Sequence, residues 1–437
     1  MVARLLAVKM NDTLVGRLTL HSNGTLTFSY DADWLTSSVS RPISLTLPLS
    51  SRLYEGENVR QFLQNLLPDS DTVIGRMQRE LAVPSADPFD LLAAVGRDCA
   101  GALQFSPDNN TSDTPAEATL LTTDDLSCFI RESHTAPLGM TTENGLRFTV
   151  AGAQKKTALL GRQGRWFIPQ GDMPTTHIFK LPIGTLPGNP PVDFSLSCEN
   201  EWLCLLVTRL YGFAAAAAEL RHFGTETVLI VERFDRQTAN DGMSQLRLPT
   251  EDCCQALGVP AAFKYESDGG PGISTIMNLL RYSSRTAADR ETFFKTQILF
   301  WLLQATDGHA KNFSVFLEKG GGFHLTPLYD IMSTAPLTAT GVVSPRRIKM
   351  AMGLLGKNKH YRFFDIEPRH FLSTAAAVGL PIETAKAWLR ELAEKTPSVI
   401  EAAIRELPPN FPSNVSEPIF SGMSIRSEKI NRFLAAQ

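Results

Sequence analysis

Two polar residues five positions apart have the types and spacing to do chemistry. In Ala305-Thr-Asp307-Gly-His309-Ala-Lys311-Asn312-Phe-Ser-Val-Phe-Leu317 an aspartate and an asparagine follow a long apolar helical run and precede a strand-like one. This is the spacing of a kinase catalytic loop, where the Asp takes up the acceptor hydroxyl's proton and the Asn holds Mg²⁺. Phosphoryl transfer is loose and dissociative, so such a base needs placement more than a raised pKa. Eighteen residues after Asn312, Asp330 stands in Leu325-Thr-Pro-Leu-Tyr329-Asp330-Ile331, where a metal-holding carboxylate is expected. Read in isolation, Asp307 and Asn312 suit a pair of Asx-turns equally well.

The upstream half supplies the other pairing a kinase requires. Lys180 ends the alternating strand His177-Ile-Phe-Lys180, and Glu201 lies at the start of the helix marked by Trp202, Leu205, Leu206 and Leu210. A strand Lys on nucleotide phosphates, oriented by a helix Glu, fits that pattern. A solvated Lys and a first-turn acid favoured by the helix dipole fit it too. The small-residue turn Val150-Ala-Gly152-Ala153-Gln154-Lys155-Lys156-Thr157-Ala158 would let backbone N–H groups approach phosphate. It matches neither the Walker pattern nor G-x-G-x-x-G. Val231-Glu232-Arg233-Phe234-Asp235-Arg236 reads either as a hinge strand offering its backbone to adenine or as an edge with exposed ion pairs.

The elements that must hold these residues follow from periodicity. Residues 1 to about 30 alternate apolar and polar positions, broken at Asn11-Asp12 and Ser22-Asn23-Gly24, as in a β-meander. Helices are expected over Val59 to Leu67, Thr72 to Leu81 and Phe89 to Val95, stopped by Pro68 and Pro84. Short strands are expected between 145 and 235, and helices beyond about 250, with Phe294, Ile298, Trp301 and Leu302 on one face and Ala385, Trp388, Leu389 and Leu392 on another. The expected fold class is α+β, two-lobed and protein-kinase-like, with nucleotide in the crevice between lobes. We divide the chain into an N-terminal subdomain (1–105), a linker and connecting helix (106–144), a nucleotide-binding N-lobe (145–250) and a helical C-lobe with the catalytic loop (251–437).

Composition narrows the function classes. The chain of 437 residues carries 42 basic and 45 acidic side chains, so no global charge marks it for nucleic acid. One local patch, Arg346, Arg347, Lys349, Lys357, Lys359 and Arg362, could attract a polyanion or be a solvated basic face. Six cysteines with no C-x-x-C spacing suit a reduced compartment. Apolar runs are too short for a signal core or a membrane span, so a cytoplasmic protein with no membrane partner is expected.

The ordered motifs LPDS (67–70), GRDCAGAL (96–103), VAGAQKKTAL (150–159), PTTHIFKLP (174–182), VERFDR (231–236), KYESDGGPG (264–272), ATDGHAKNFSVFL (305–317) and LTPLYDI (325–331) resemble the HipA family. These are serine/threonine-protein kinase toxins of type II toxin–antitoxin systems, and the likeness spans nearly the whole chain. It implies that Asp307 is the catalytic base, that Asn312 and Asp330 hold Mg²⁺, and that Lys180, oriented by Glu201, meets ATP. It also implies a nucleotide site lined by Ala153, Gln154, Lys155, Lys156, Thr157, Ala158, Glu232, Phe234, His309 and Tyr329. The implied partners are a HipB-like helix-turn-helix antitoxin, operator DNA bound through that complex as corepressor, and tRNA-bound glutamyl-tRNA synthetase as substrate. Phosphorylating the synthetase would stop translation and promote persistence. Two departures stand out. Thr149 occupies the place of the usual autophosphorylated Ser, and Lys155 replaces a common Glu. The competing functions are a catalytically silent pseudokinase holding antitoxin on DNA, and a metal-dependent phosphohydrolase using Asp307, His309 and Asp330.

Overall fold

The computed structural model describes residues 3–107, 118–133, 154–224, 226–242 and 244–437. The chain divides into two compact units: Met1–Leu181 with Arg221–Ala262 and Ser314–Phe323, and Pro182–Leu220 with Phe263–Phe313 and His324–Gln437.

The first unit begins with an antiparallel sheet whose strands run Tyr54–Glu55, Leu26–Tyr30, Thr13–Leu20, Arg4–Met10 and Leu103–Pro107 in spatial order. Asn11 and Asp12 make the first hairpin turn at φ 45° and 66°, a conformation that short polar side chains tolerate. The three expected helices appear as Glu57–Gln64, Asp71–Glu80 and Pro88–Val95. Each boundary has a local cause. Ser70 accepts a hydrogen bond from the Val73 N–H, and Asp87 caps a helix that has proline in its first turn. Their apolar faces, with Phe62, Phe89, Leu91 and Leu92, share one core with Phe28, Phe105 and Phe179. Each such fully buried phenylalanine contributes about 1.5–3 kcal/mol.

In a second sheet the strands Glu226–Glu232, His177–Lys180, Lys156–Arg162, Arg165–Ile168 and Thr119–Leu121 lie in that order. The segment 106–144, read as linker and helix, contains the helix Thr123–Glu132 but also gives this sheet an edge strand. Three residues, two of them exposed, are too few for period-2 alternation to reveal.

The ion-pair cluster of Val231–Arg236 is buried, contrary to the exposed-edge alternative. The Asp98 carboxylate, in the loop after Pro88–Val95, accepts from Arg236 Nη2 at 2.7 Å, Arg233 Nη1 at 3.2 Å, Arg247 Nε at 3.3 Å and the Thr175 hydroxyl at 2.6 Å. Asp235 accepts from Arg233 and from the Gly101 N–H. Burial alone would raise the Asp98 carboxyl, but the guanidiniums of Arg236, Arg233 and Arg247 overcome it and hold it well below the usual carboxylate range. GRDCAGAL, PTT and VERFDR are thus three segments of one hydrogen-bonded knot. Nearby, the strand Thr250–Asp252 pairs antiparallel with Ser314–Leu317 and carries Glu251, whose buried carboxyl accepts from the Leu45 N–H and is pushed up to about 8 by burial.

The second unit is mainly helical: Ser197–Leu210, Ile273–Leu279, Thr286–Leu303, Pro368–Ala377, Ile382–Glu406 and Ser413–Ala435, with a hairpin of Lys349–Leu355 and Lys359–Arg362. Phe293, Phe294 and Trp301 of Thr286–Leu303 are buried, with the Trp301 ring 5.6 Å from that of Phe371. That helix stops where Gln304 turns left-handed at φ 55°. Its last carbonyls face the buried Arg426, which donates from Nε and Nη2 to the Leu302 oxygen at 3.0 and 2.7 Å. A cation at a helix C-terminus is favoured by the dipole. Among the described residues, no helix is long and apolar enough to cross a membrane.

Candidate functional site

The loop after Thr286–Leu303 is shaped by its own backbone bonds. The Asp307 carbonyl accepts from the His309 N–H at 2.8 Å and from Asn312 Nδ2 at 2.8 Å. Residues Ala310–Asn312 form a single 3₁₀ turn. Gly308 admits no side chain, since a Cβ there would lie 2.2 Å from the Phe300 ring. The Asp307 side chain is left exposed while His309, Lys311 and Asn312 are buried. Bonding through its nitrogen fixes Asn312 so that its carbonyl oxygen is turned to other partners.

A residue without an assigned role in the sequence bonds to the Asp307 carboxylate. The Tyr265 hydroxyl donates to Asp307 Oδ1 at 2.5 Å, a charge-assisted length, and the Tyr265 ring meets His309 edge-on at 4.9 Å. Tyr265 belongs to KYESDGGPG, whose Gly270 approaches so closely that a Cβ would sit 1.7 Å from the Phe263 carbonyl oxygen. The motif's tight turn was the only signal, because the Tyr265–Asp307 bond spans 42 residues. Among the described residues His309 Nδ1 is buried with no hydrogen-bond partner, and burial pushes the imidazole's pKa down, favouring the neutral ring.

Asp330 is brought to this loop by its neighbours. Leu328 forms a parallel bridge with Ala215, exchanging backbone bonds with Ala214 and Ala216 at 2.9 and 2.8 Å. The Tyr329 hydroxyl donates to the Lys311 carbonyl at 2.8 Å. Asp330 itself is exposed and left-handed at φ 57°, a conformation that costs a non-glycine residue about 1 kcal/mol or more. Three residues on, the Ser333 backbone exchanges two bonds with Asn200, at 2.7 and 2.8 Å. That ties the Asp330 segment to the helix carrying Glu201. The helix begins at Ser197, so Glu201 is a full turn inside and 3% exposed, not the first-turn surface acid of the alternative reading.

The remaining candidates belong to the first unit. Lys156 and Lys180 stand directly opposite each other on adjacent antiparallel strands, and both are buried. Gln154 Nε2 donates to the Leu181 carbonyl at 2.8 Å, and Lys155 is exposed. Thr157 and Ala158 are fully buried. Glu232 pairs with His177 and is exposed, while the half-buried Phe234 lies edge-on to Phe316 at 6.0 Å. Thr149 and Ala153 lie outside the described residues.

Asn312 and Asp330 offer hard oxygen donors of the kind Mg²⁺ takes, so the residues present fit that ion. Among the described residues, no group of three or more His, Cys, Asp or Glu could hold a metal on protein ligands alone, which a phosphohydrolase built on Asp307, His309 and Asp330 would need.

Family models match two stretches: the HipA N-terminal domain over residues 6–106 and the HipA-like C-terminal domain over residues 148–400. The chain is 32% identical to Y4mE of Sinorhizobium fredii, a candidate kinase, over 99% of its own length and 96% of the relative's. It is 25% identical to the serine/threonine-protein kinase toxin HipA of Shewanella oneidensis, covering 92% and 90%. Its fold matches the HipA chain in the solved complex of Shewanella oneidensis HipA, HipB and operator DNA with a TM-score of 0.82 at 24% identity, covering 99% of this chain and 98% of that one.

Proposed function

The chain belongs to the HipA family, and from that premise we propose that it is a serine/threonine-protein kinase toxin of a type II toxin–antitoxin system, transferring the ATP γ-phosphate to an aminoacyl-tRNA synthetase. The observation that carries the reading is the exposed Asp307 carboxylate, bonded to a phenol on one oxygen and anchored through its backbone by Asn312. A base so placed can take the acceptor hydroxyl's proton as that oxygen attacks the γ-phosphorus.

Lys180 and Lys156 meet the phosphates. His309 offers its orphaned Nδ1 to the nucleotide, and Tyr329 steadies the loop on which Asn312 sits. The backbone of Glu232 to Phe234 meets adenine. Asn312 and Asp330 would hold Mg²⁺, which when bound neutralises charge on the β- and γ-phosphates. Catalysis rests on positioning and preorganised electrostatics. The preferred acceptor is glutamyl-tRNA synthetase with its tRNA, and the partner a HipB-like antitoxin with which the chain represses its operator. Support for the partner is the fold match to the HipA of a HipB–operator complex.

Mass spectrometry after incubation with Mg-ATP, glutamyl-tRNA synthetase and tRNA tests this reading, with Asp307→Asn as control. Phosphate on the synthetase that vanishes in the control is the expected result, and phosphate on Thr149 would add self-inactivation. ATP binding with neither protein modified would overturn it in favour of a scaffold.

A further inference from the structure

The hairpin Lys349–Leu355 and Lys359–Arg362 is bonded directly to the base segment. The Ala351 N–H donates to the carbonyl of Thr306, the residue before Asp307, at 2.9 Å. Glu266, next to Tyr265, accepts from the Gly353 N–H at 2.7 Å and from Lys359 Nζ at 2.5 Å. The hairpin is therefore fixed to the segments that carry Asp307 and Tyr265.

Its surface is strongly cationic. Arg346, Arg347, Lys349, Lys357 and Arg362 are exposed, and none has an acidic partner among the described residues. Lys349 and Arg362 are directly opposite in register, a like-charge pair that disfavours the isolated hairpin. Asp365 is the exposed acid that follows, and among the described residues the hairpin's ion pair is that of Lys359 with Glu266. Two residues after Arg362, Phe364 presents an aromatic ring at 65% exposure. Guanidiniums and ammoniums attract a phosphodiester backbone, and an exposed aromatic ring stacks on an unpaired base, which folded RNA offers and duplex DNA does not.

We infer that this hairpin docks the tRNA carried by the protein acceptor, so that the acceptor is recognised through its RNA as it reaches Asp307. The inference rests on the kinase reading and adds to it a recognition element outside the nucleotide site. A ligand bound here brings its protein to the base by effective concentration.

The test uses the full-length chain, labelled unfractionated tRNA and a DNA duplex of matched length, with fluorescence anisotropy from 50 to 300 mM salt. The variant combines Arg346→Ala, Arg347→Ala, Lys349→Ala and Arg362→Ala, with melting temperature and Mg-ATP affinity as folding controls. Losing four phosphate contacts should reduce the slope of log K against log salt by about 3, at roughly 0.7–0.9 per contact. In the transfer assay the KM for tRNA-bound synthetase should rise about tenfold while kcat stays unchanged. An unchanged slope overturns the inference, as does equal, patch-dependent binding of the DNA duplex, which would assign the face to the operator. Patch-dependent tRNA binding without synthetase phosphorylation supports the docking surface and removes the substrate reading.

Discussion

Replacing Asp98 by Asn should be the most damaging single isosteric change in the first unit. The buried knot holds three guanidiniums, of Arg233, Arg236 and Arg247, against two carboxylates, of Asp98 and Asp235. Three cations and two anions become three and one, all in side chains under 10% exposed. Removing one partner of a buried pair costs about 3–5 kcal/mol, because the remaining charge has neither water nor counter-charge. For a unit of this size that corresponds to a fall of roughly 6–20 °C in Tm. The sign with pH is fixed by the depressed Asp98 carboxyl. Its stabilisation is complete above the ordinary carboxylate pKa near 4 and is lost as pH falls toward the folded value. The gap between wild type and Asp98→Asn should therefore narrow by about 1 kcal/mol between pH 5 and pH 3. Urea denaturation at both pH values measures it. A penalty under 1 kcal/mol, or a gap that widens in acid, would refute the electrostatic account.

Other consequences are independent of that knot. Tyr265→Phe removes the Asp307 hydrogen bond without altering volume much, and should lower kcat about tenfold with an unchanged KM for ATP. Steady-state kinetics in the wild-type and Asp307→Asn backgrounds should find no further loss in the second, since both changes act through one carboxylate. Lys180→Met should raise the KM for ATP well above that of the wild type, read by nucleotide titration. For Glu251, whose folded pKa is raised to about 8, stability is fully present below the unfolded value and lost as pH rises through 8. Glu251→Gln should therefore gain on the wild type between pH 5 and pH 8.5, by on the order of 4 kcal/mol in thermal or urea unfolding.

What could be seen in the sequence were patterns with a local cause. Helices came from the 3.6 period and from proline stops, the first hairpin from Asn11-Asp12, and the candidate site loop from the spacing of Asp307 and Asn312. The unseen features share a different cause, because they are made by residues far apart in the chain. Asp98 finds Arg233 and Arg236 across 135 and 138 positions, so GRDCAGAL and VERFDR carry no sign of each other. The burial of Glu201 likewise followed from where its helix begins, at Ser197, a start that no side-chain cap marks. Tyr265 was visible as part of a motif, and only its bond to Asp307 gives it a role.

The order in which segments join each unit bears on how the protein is made. Neither unit is one continuous stretch, for the first takes Ser314–Phe323, the ten residues that follow the catalytic loop and Phe313, and the second takes Pro182–Leu220 from upstream. On the ribosome, chains generally fold domain by domain from the N-terminus. Here the strand Ser314–Leu317, which pairs with Thr250–Asp252, emerges only after most of the chain has been synthesised. The first unit therefore cannot close early, and Asp307 is translated before the unit carrying Lys180 is complete. A nascent fragment cut short before residue 323 lacks a segment of the first unit and most of the second.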